Sequence, residues 1–158
     1  MDKYREAEKV GRQRVWNLIS GHCAECYFTS QKANVDLFIT GTTGVEVVGE
    51  IKYRSGYTMN EIENIGGQML EKKKYDALME YEDYMPLYFV LFKDYLVVWD
   101  MRKVDKDNFV EETKYHKSTV EDSPTITKQV QYLSITDAVT TMKVDEQVIR
   151  DNSETTYS

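Results

Sequence analysis

The runs LYFVLF at 87–92 and YLVVW at 95–99, separated only by Lys93-Asp94, constrain the fold more than any other part of the chain. Each is apolar at nearly every position, so neither has a polar face to give to water. Such strands are stable only inside a sheet covered on both faces, and the two-residue break predicts that the second runs back along the first. Pro86 opens the pair.

The flanking sequence provides candidates for the covers. Residues 3–19 predict a helix, with Ala7, Val10, Gly11, Val15, Leu18 and Ile19 on one stripe and Ser20-Gly21 as its stop. Three extended segments follow at 23–29, 35–40 and 45–53, the last two joined by a hairpin turn at Gly41-Thr42-Thr43-Gly44. Thr58 and Glu61 have capping-box spacing for a helix over 59–80, which Gly66-Gly67 weakens by roughly 1 kcal/mol per glycine. After Met101 a second hairpin is expected from 109–120 and 126–135 across Glu121–Pro124, then a short helix near Thr136.

The order of helix, three strands, helix and two strands predicts a mixed α/β fold. Residues 1–101 form the expected core, 102–145 an extension of the same domain, and 146–158 a polar flexible tail. A length of 158 residues suits one domain with a real core. No apolar run is long enough for a membrane span, and the first residues lack the apolar stretch of a signal peptide. Two cysteines fit a reducing compartment, so the expected location is cytoplasmic.

The chemistry lies in the strand over 45–53. Val47 and Ile51 alternate with Glu50 and Lys52, so carboxylate and ammonium share the face opposite the apolar one. Asp36 lies between Val35 and Leu37 in the preceding apolar run, a position poorly explained as plain surface. Two carboxylates on neighbouring strands, with the Ile51 carbonyl as a third oxygen, match the few protein ligands that Mg²⁺ takes, and a lysine alongside completes the parts for a metal-assisted phosphodiester cut. A net charge of −7 argues against a general charge-driven nucleic-acid binder, although a carboxylate metal site itself adds negative charge.

Asn34-Val35-Asp36, thirteen intervening residues and Glu50-Ile51-Lys52 resemble the PD-(D/E)XK nuclease superfamily, in particular its small phage or archaeal Holliday-junction-resolvase-like branch. The resemblance covers roughly residues 3–100; the proline that often precedes the first aspartate is Val35 here. It implies a restriction-endonuclease-like core with a C-terminal β-hairpin extension, and a Mg²⁺-dependent deoxyribonuclease in which Mn²⁺ substitutes. Asp36, Glu50, Lys52, a glutamine on the following helix (Gln68) and a glutamate on the first helix (Glu8, with Glu6 as alternative) would be catalytic. Asp36, Glu50 and Ile51 would hold the metal. DNA, branched DNA in particular, is the implied substrate, and two symmetric incisions at a junction imply a homodimer.

Arg54, Lys72, Lys73 and Lys74 are the candidate phosphate contacts, weighed against a plain solvated helix face. Cys23 and Cys26 have metal or redox spacing, but no second cysteine pair accompanies them and a strand follows. The alternative to a nuclease is a catalytically inactive module of the same fold that binds DNA or assembles with other proteins.

Overall fold

The computed structural model describes residues 3–30, 33–115 and 125–144. Its centre is a six-stranded mixed sheet in the order β1-β2-β3-β5-β6-β9, formed by β1 (Cys23–Phe28), β2 (Leu37–Gly41), β3 (Glu46–Arg54), β5 (Met85–Phe92), β6 (Tyr95–Asp100) and β9 (Thr140–Lys143). β3 and β5 are parallel, and all other neighbours are antiparallel. The apolar strands β5 and β6 lie inside this sheet, as their sequence predicts.

Both faces are covered, and period-two alternation divides the side chains between them. Phe89 and Leu91 of β5 point to one face, where they pack with Val15 and Ile19 of α1 (Lys3–Ile19). Tyr88, Val90 and Phe92 point to the other, together with Val97 and Trp99 of β6. That second face is covered by α2 (Met59–Asn64), α3 (Lys72–Met79) and a three-stranded sheet of order β4-β8-β7, made from β4 (Gln68–Glu71), β8 (Thr125–Leu133) and β7 (Val110–Tyr115). Ile62, Leu70, Tyr75, Leu78 and Leu133 are their buried contributions.

The expected single helix over 59–80 is instead α2, a turn, β4 and α3. The cause is the glycine pair. Gly66 and Gly67 have φ of 114° and 108°, outside the helical region, and a Cβ on Gly67 would lie 2.6 Å from the Leu133 carbonyl oxygen. The chain therefore leaves α2 at Ile65 and enters an edge of the second sheet, where Gln68 pairs with Leu133. Gln68 consequently sits on a strand and not on a helix.

Downstream of Met101, β7 and β8 pair as expected, from Val110↔Val130 to Tyr115↔Thr125, while the expected turn at Glu121–Pro124 and the tail at 146–158 lie outside the described residues. The helical signal near Thr136 is a single 3₁₀ turn, Ile135–Asp137. β9, which sequence patterning did not suggest, adds an edge to the central sheet against β6. The described helices include none long and apolar enough to cross a membrane.

The start of α2 has the expected capping box: Thr58 Oγ1 accepts from Glu61 N at 3.2 Å, and Glu61 Oε1 accepts from Thr58 N at 2.9 Å. Replacing Thr58 with Ala removes one of these bonds from a helix of only six residues. It is expected to lower stability by about 1 kcal/mol, read as a shifted urea midpoint with unchanged slope.

Candidate active site

The register of β2 against β3 ends at Leu37↔Gly49, and Asp36 N continues it by one bond to the Gly49 carbonyl (2.9 Å). Beyond Gly49 that edge of β3 has no strand partner among the described residues. The Asp36 side chain occupies the gap, with Oδ2 accepting from Ile51 N at 2.7 Å. Within a strand the N–H and C=O of one residue point the same way, so the Ile51 carbonyl shares this open edge. Asp36 thus stands just before β2 rather than within it, and its side chain takes the place of the next ladder residue.

The helix α1 crosses this opening and supplies Arg12. Its guanidinium donates to Asp36 Oδ1 and to the Thr29 carbonyl, each at 2.9 Å, fixing the carboxylate from a second side. Glu8, one turn earlier on α1, lines the same cleft, whereas Glu6 does not. The cleft, about 270 Å³, brings together Glu8, Arg12, Asp36, Glu50, Lys52 and Lys74.

Glu50 is buried (7 % exposed) on the β3 face that looks toward α3, and Lys74 of α3 meets its Oε1 at 3.0 Å. Burial, then the neighbouring Asp36 carboxylate, pushes the Glu50 carboxyl up to about 7, although Lys74 pulls the other way. Partial desolvation, then the charge on Arg54, holds the Lys52 ammonium below the ordinary lysine range. For Lys74 partial burial acts downward, yet Glu50 outweighs it and the net direction is up. One carboxyl that titrates near neutrality beside another is a pattern found at functional sites.

A raised carboxyl pKa has a definite sign in stability. Between pH 4.5 and about 7 the folded protein holds the Glu50 proton and the unfolded chain does not, so stability falls as pH rises through this window. The loss is on the order of 3 kcal/mol. Urea unfolding of the metal-free protein at pH 5, 6, 7 and 8 is expected to show this decline. Glu50→Gln is expected to flatten it and to be more stable than wild type at pH 8.

Gln68 is not at the carboxylates. It is fully buried, and its Nε2 donates to the Met69 carbonyl (3.1 Å) and Tyr88 Oη (3.4 Å), which places it behind Tyr88 in the wall. Of the lysines expected at phosphates, Lys72 pairs with Asp76 at 2.7 Å and Lys74 with Glu50, while Lys73 is exposed. Arg54 lies farther along the face of β3 that carries Glu50 and Lys52. Arg12 and Lys74 as carboxylate partners were not legible in the sequence, since basic residues at helical spacing look alike until the helix is docked. Cys23 and Cys26 are half-buried and free, and burial raises both thiols, Cys26 to about 11, away from nucleophilic or redox use.

The donor set fits Mg²⁺. Among the described residues no group of three or more His, Cys, Asp or Glu side chains converges to cage an ion. Two carboxylates and one strand carbonyl nevertheless match an ion that retains several waters and takes its remaining oxygens from a phosphate. Asp36, Glu50 and the Ile51 carbonyl are the residues that would hold it.

No family model matches the chain, and no curated protein does. Among solved structures the chain is similar to Hjc, a Holliday junction resolvase from the archaeal hyperthermophile Archaeoglobus fulgidus, with a TM-score of 0.50 and 8 % identity over 90 % of this chain and 95 % of that one. At that identity the likeness is one of fold. The chain has a mixed α/β fold like that of Hjc.

Proposed function

We propose that the protein is a metal-dependent deoxyribonuclease that hydrolyses phosphodiester bonds, acting on branched DNA as a two-fold homodimer. The observation that carries this reading is that Asp36 and Glu50, fourteen residues apart in sequence, line one cleft with Lys52 beside them. The fold likeness to Hjc supports the reaction class. The dimer follows from the substrate, since a junction needs two symmetric cuts.

A divalent ion held by Asp36, Glu50 and the Ile51 carbonyl would supply positive charge to the phosphoryl oxygens and acidify a water. The protein's own groups do the rest. Ile51 N and Arg12 keep Asp36 in one orientation, so no reorganisation is required as the substrate arrives. Lys52 donates to a phosphate oxygen or to the attacking water. Lys74 holds Glu50 at 3.0 Å and would release it to a cation of higher charge.

Cleavage of four-way-junction, duplex and single-stranded DNA with and without Mg²⁺ tests the reading, with Lys52→Ala as an inactive control. Cutting of the junction in preference to the duplex, only with metal, is the expected result. One observation favours a second reading, an inactive nuclease-fold binding module: both carboxylates already carry an internal cation, Arg12 on Asp36 and Lys74 on Glu50. Junction binding without cleavage in either Mg²⁺ or Mn²⁺ would decide for it.

A further inference from the structure

The carboxylate cleft continues along β3 into a smaller one of about 60 Å³, bounded by Glu50, Lys52, Arg54, Glu71, Lys74 and Tyr88. Glu50, Lys52 and Arg54 are spaced two apart on the strand and share a face, so this row extends about 13 Å from carboxylate to guanidinium. β8 brings a further cation from the second sheet: Lys128 Nζ lies 2.6 Å from Glu71 Oε1 at the rim.

Their counter-charges are unevenly shared. Lys74 is taken by Glu50 and Lys128 by Glu71. Among the described residues Lys52 and Arg54 have no carboxylate within 4 Å, and Arg54 Nε is buried with no hydrogen-bond partner. A buried donor without an acceptor is rare in native proteins and marks a position that something else completes. The acceptor is an anion, because the cations lining the cleft, Lys52, Arg54 and Lys74, outnumber its carboxylates, Glu50 and Glu71. It is also small: the space is about two water volumes, too little for a base or a sugar ring. A guanidinium fork beside the Lys52 ammonium, with Lys128 at the rim, is the chemistry that holds phosphate oxygens.

We propose that Arg54 and Lys52, with Lys128 reaching in from the rim beside Glu71, form a subsite for one backbone phosphodiester of a nucleic-acid strand, next to the phosphate placed at Asp36 and Glu50. The subsite fixes the register of the strand and carries no sequence preference. It gives the second sheet a direct role, through Lys128, in seating the substrate. This inference rests on the nuclease reading.

The test is fluorescence anisotropy of a labelled four-way junction in Ca²⁺, over a salt series, with wild type, Arg54→Gln, Lys128→Met and the double variant. Each single variant is expected to weaken binding several-fold. The double variant is expected to lower the slope of log K against log salt by about one, because both side chains serve one phosphate. Lys128 is half-exposed, so Lys128→Met carries the result alone if Arg54→Gln fails to fold.

Wild-type binding with unchanged affinity and slope in Lys128→Met would overturn the subsite and leave the nuclease reading standing. Failure of the wild type to bind DNA at all would overturn both. Calorimetry with inorganic phosphate is the second arm. Binding of phosphate that Lys128→Met abolishes, with DNA slopes unchanged, would assign the pocket to a free anion and reject a backbone contact.

Discussion

Asp36→Asn is expected to reduce metal-dependent cleavage by about 10²–10³-fold or more and to abolish Mn²⁺ binding measured by calorimetry. Asparagine keeps the shape and removes the charge. It also cannot serve both of the contacts Asp36 makes. The carboxylate accepts from Arg12 on one oxygen and from Ile51 N on the other. An amide offers one acceptor and, in place of the other, a donor that faces a donor. Asp36→Asn is therefore expected to lose about 1–3 kcal/mol of stability as well as activity. Glu50→Gln gives the opposite combination, inactive yet more stable than wild type at pH 8, because it removes a carboxyl that burial and Asp36 make reluctant to ionise. Paired urea unfolding and cleavage assays on both variants separate a metal-site role from a structural one. A purely structural carboxylate pair would lose activity only in proportion to lost fold.

Gly67→Ala is expected to cost about 3 kcal/mol or more in urea unfolding, among the largest effects of a single methyl group in this chain. Two penalties act together. The φ of 108° lies in a region that alanine adopts only with strain of about 1–3 kcal/mol. The added Cβ would also sit 2.6 Å from the Leu133 carbonyl oxygen and 3.1 Å from its carbon, and that backbone belongs to the β8 strand paired with β4. Relief of the clash would push β4 away from β8 and loosen Gln68, Leu70 and Glu71 with it. Gly66→Ala shares the unusual φ (114°) but meets no atom within 4 Å, so it is expected to cost only the conformational part. The difference between the two variants isolates the packing contribution.

The central sheet was legible because its signals are local. Two apolar runs with a two-residue break, and an alternating strand after a Gly-Thr-Thr-Gly turn, fix β2, β3, β5 and β6 to within a few residues. Asp36 and Glu50 could be paired because Asp36 immediately precedes β2, whose antiparallel register with β3 runs to Leu37↔Gly49, one residue short of both. The segment 59–80 looks like one helix in sequence for the converse reason. Met69, Leu70 and Ala77 fit a helical stripe, and nothing local states that Gly66-Gly67 adopts positive φ to bring β4 against a β8 strand some sixty residues later. Lys74 and Lys128 share this origin. Their partners, Glu50 and Glu71, are 24 and 57 residues away, and the charge pattern of α3 alone cannot distinguish a solvated lysine from one docked on a buried carboxylate. β9 was missed because Thr140–Lys143 has the polar composition of an edge, where only one neighbour and one face demand apolar residues.

The account depends on Asp36 and Glu50 sharing one ion. The direct measurement is anomalous diffraction from crystals soaked in Mn²⁺ at pH 8, where Glu50 is ionised. A peak about 2.1 Å from an oxygen of each carboxylate, with Lys74 moved off Glu50, is the predicted result. No peak there, with Lys74 still seated on Glu50 and manganese elsewhere or absent, would contradict it.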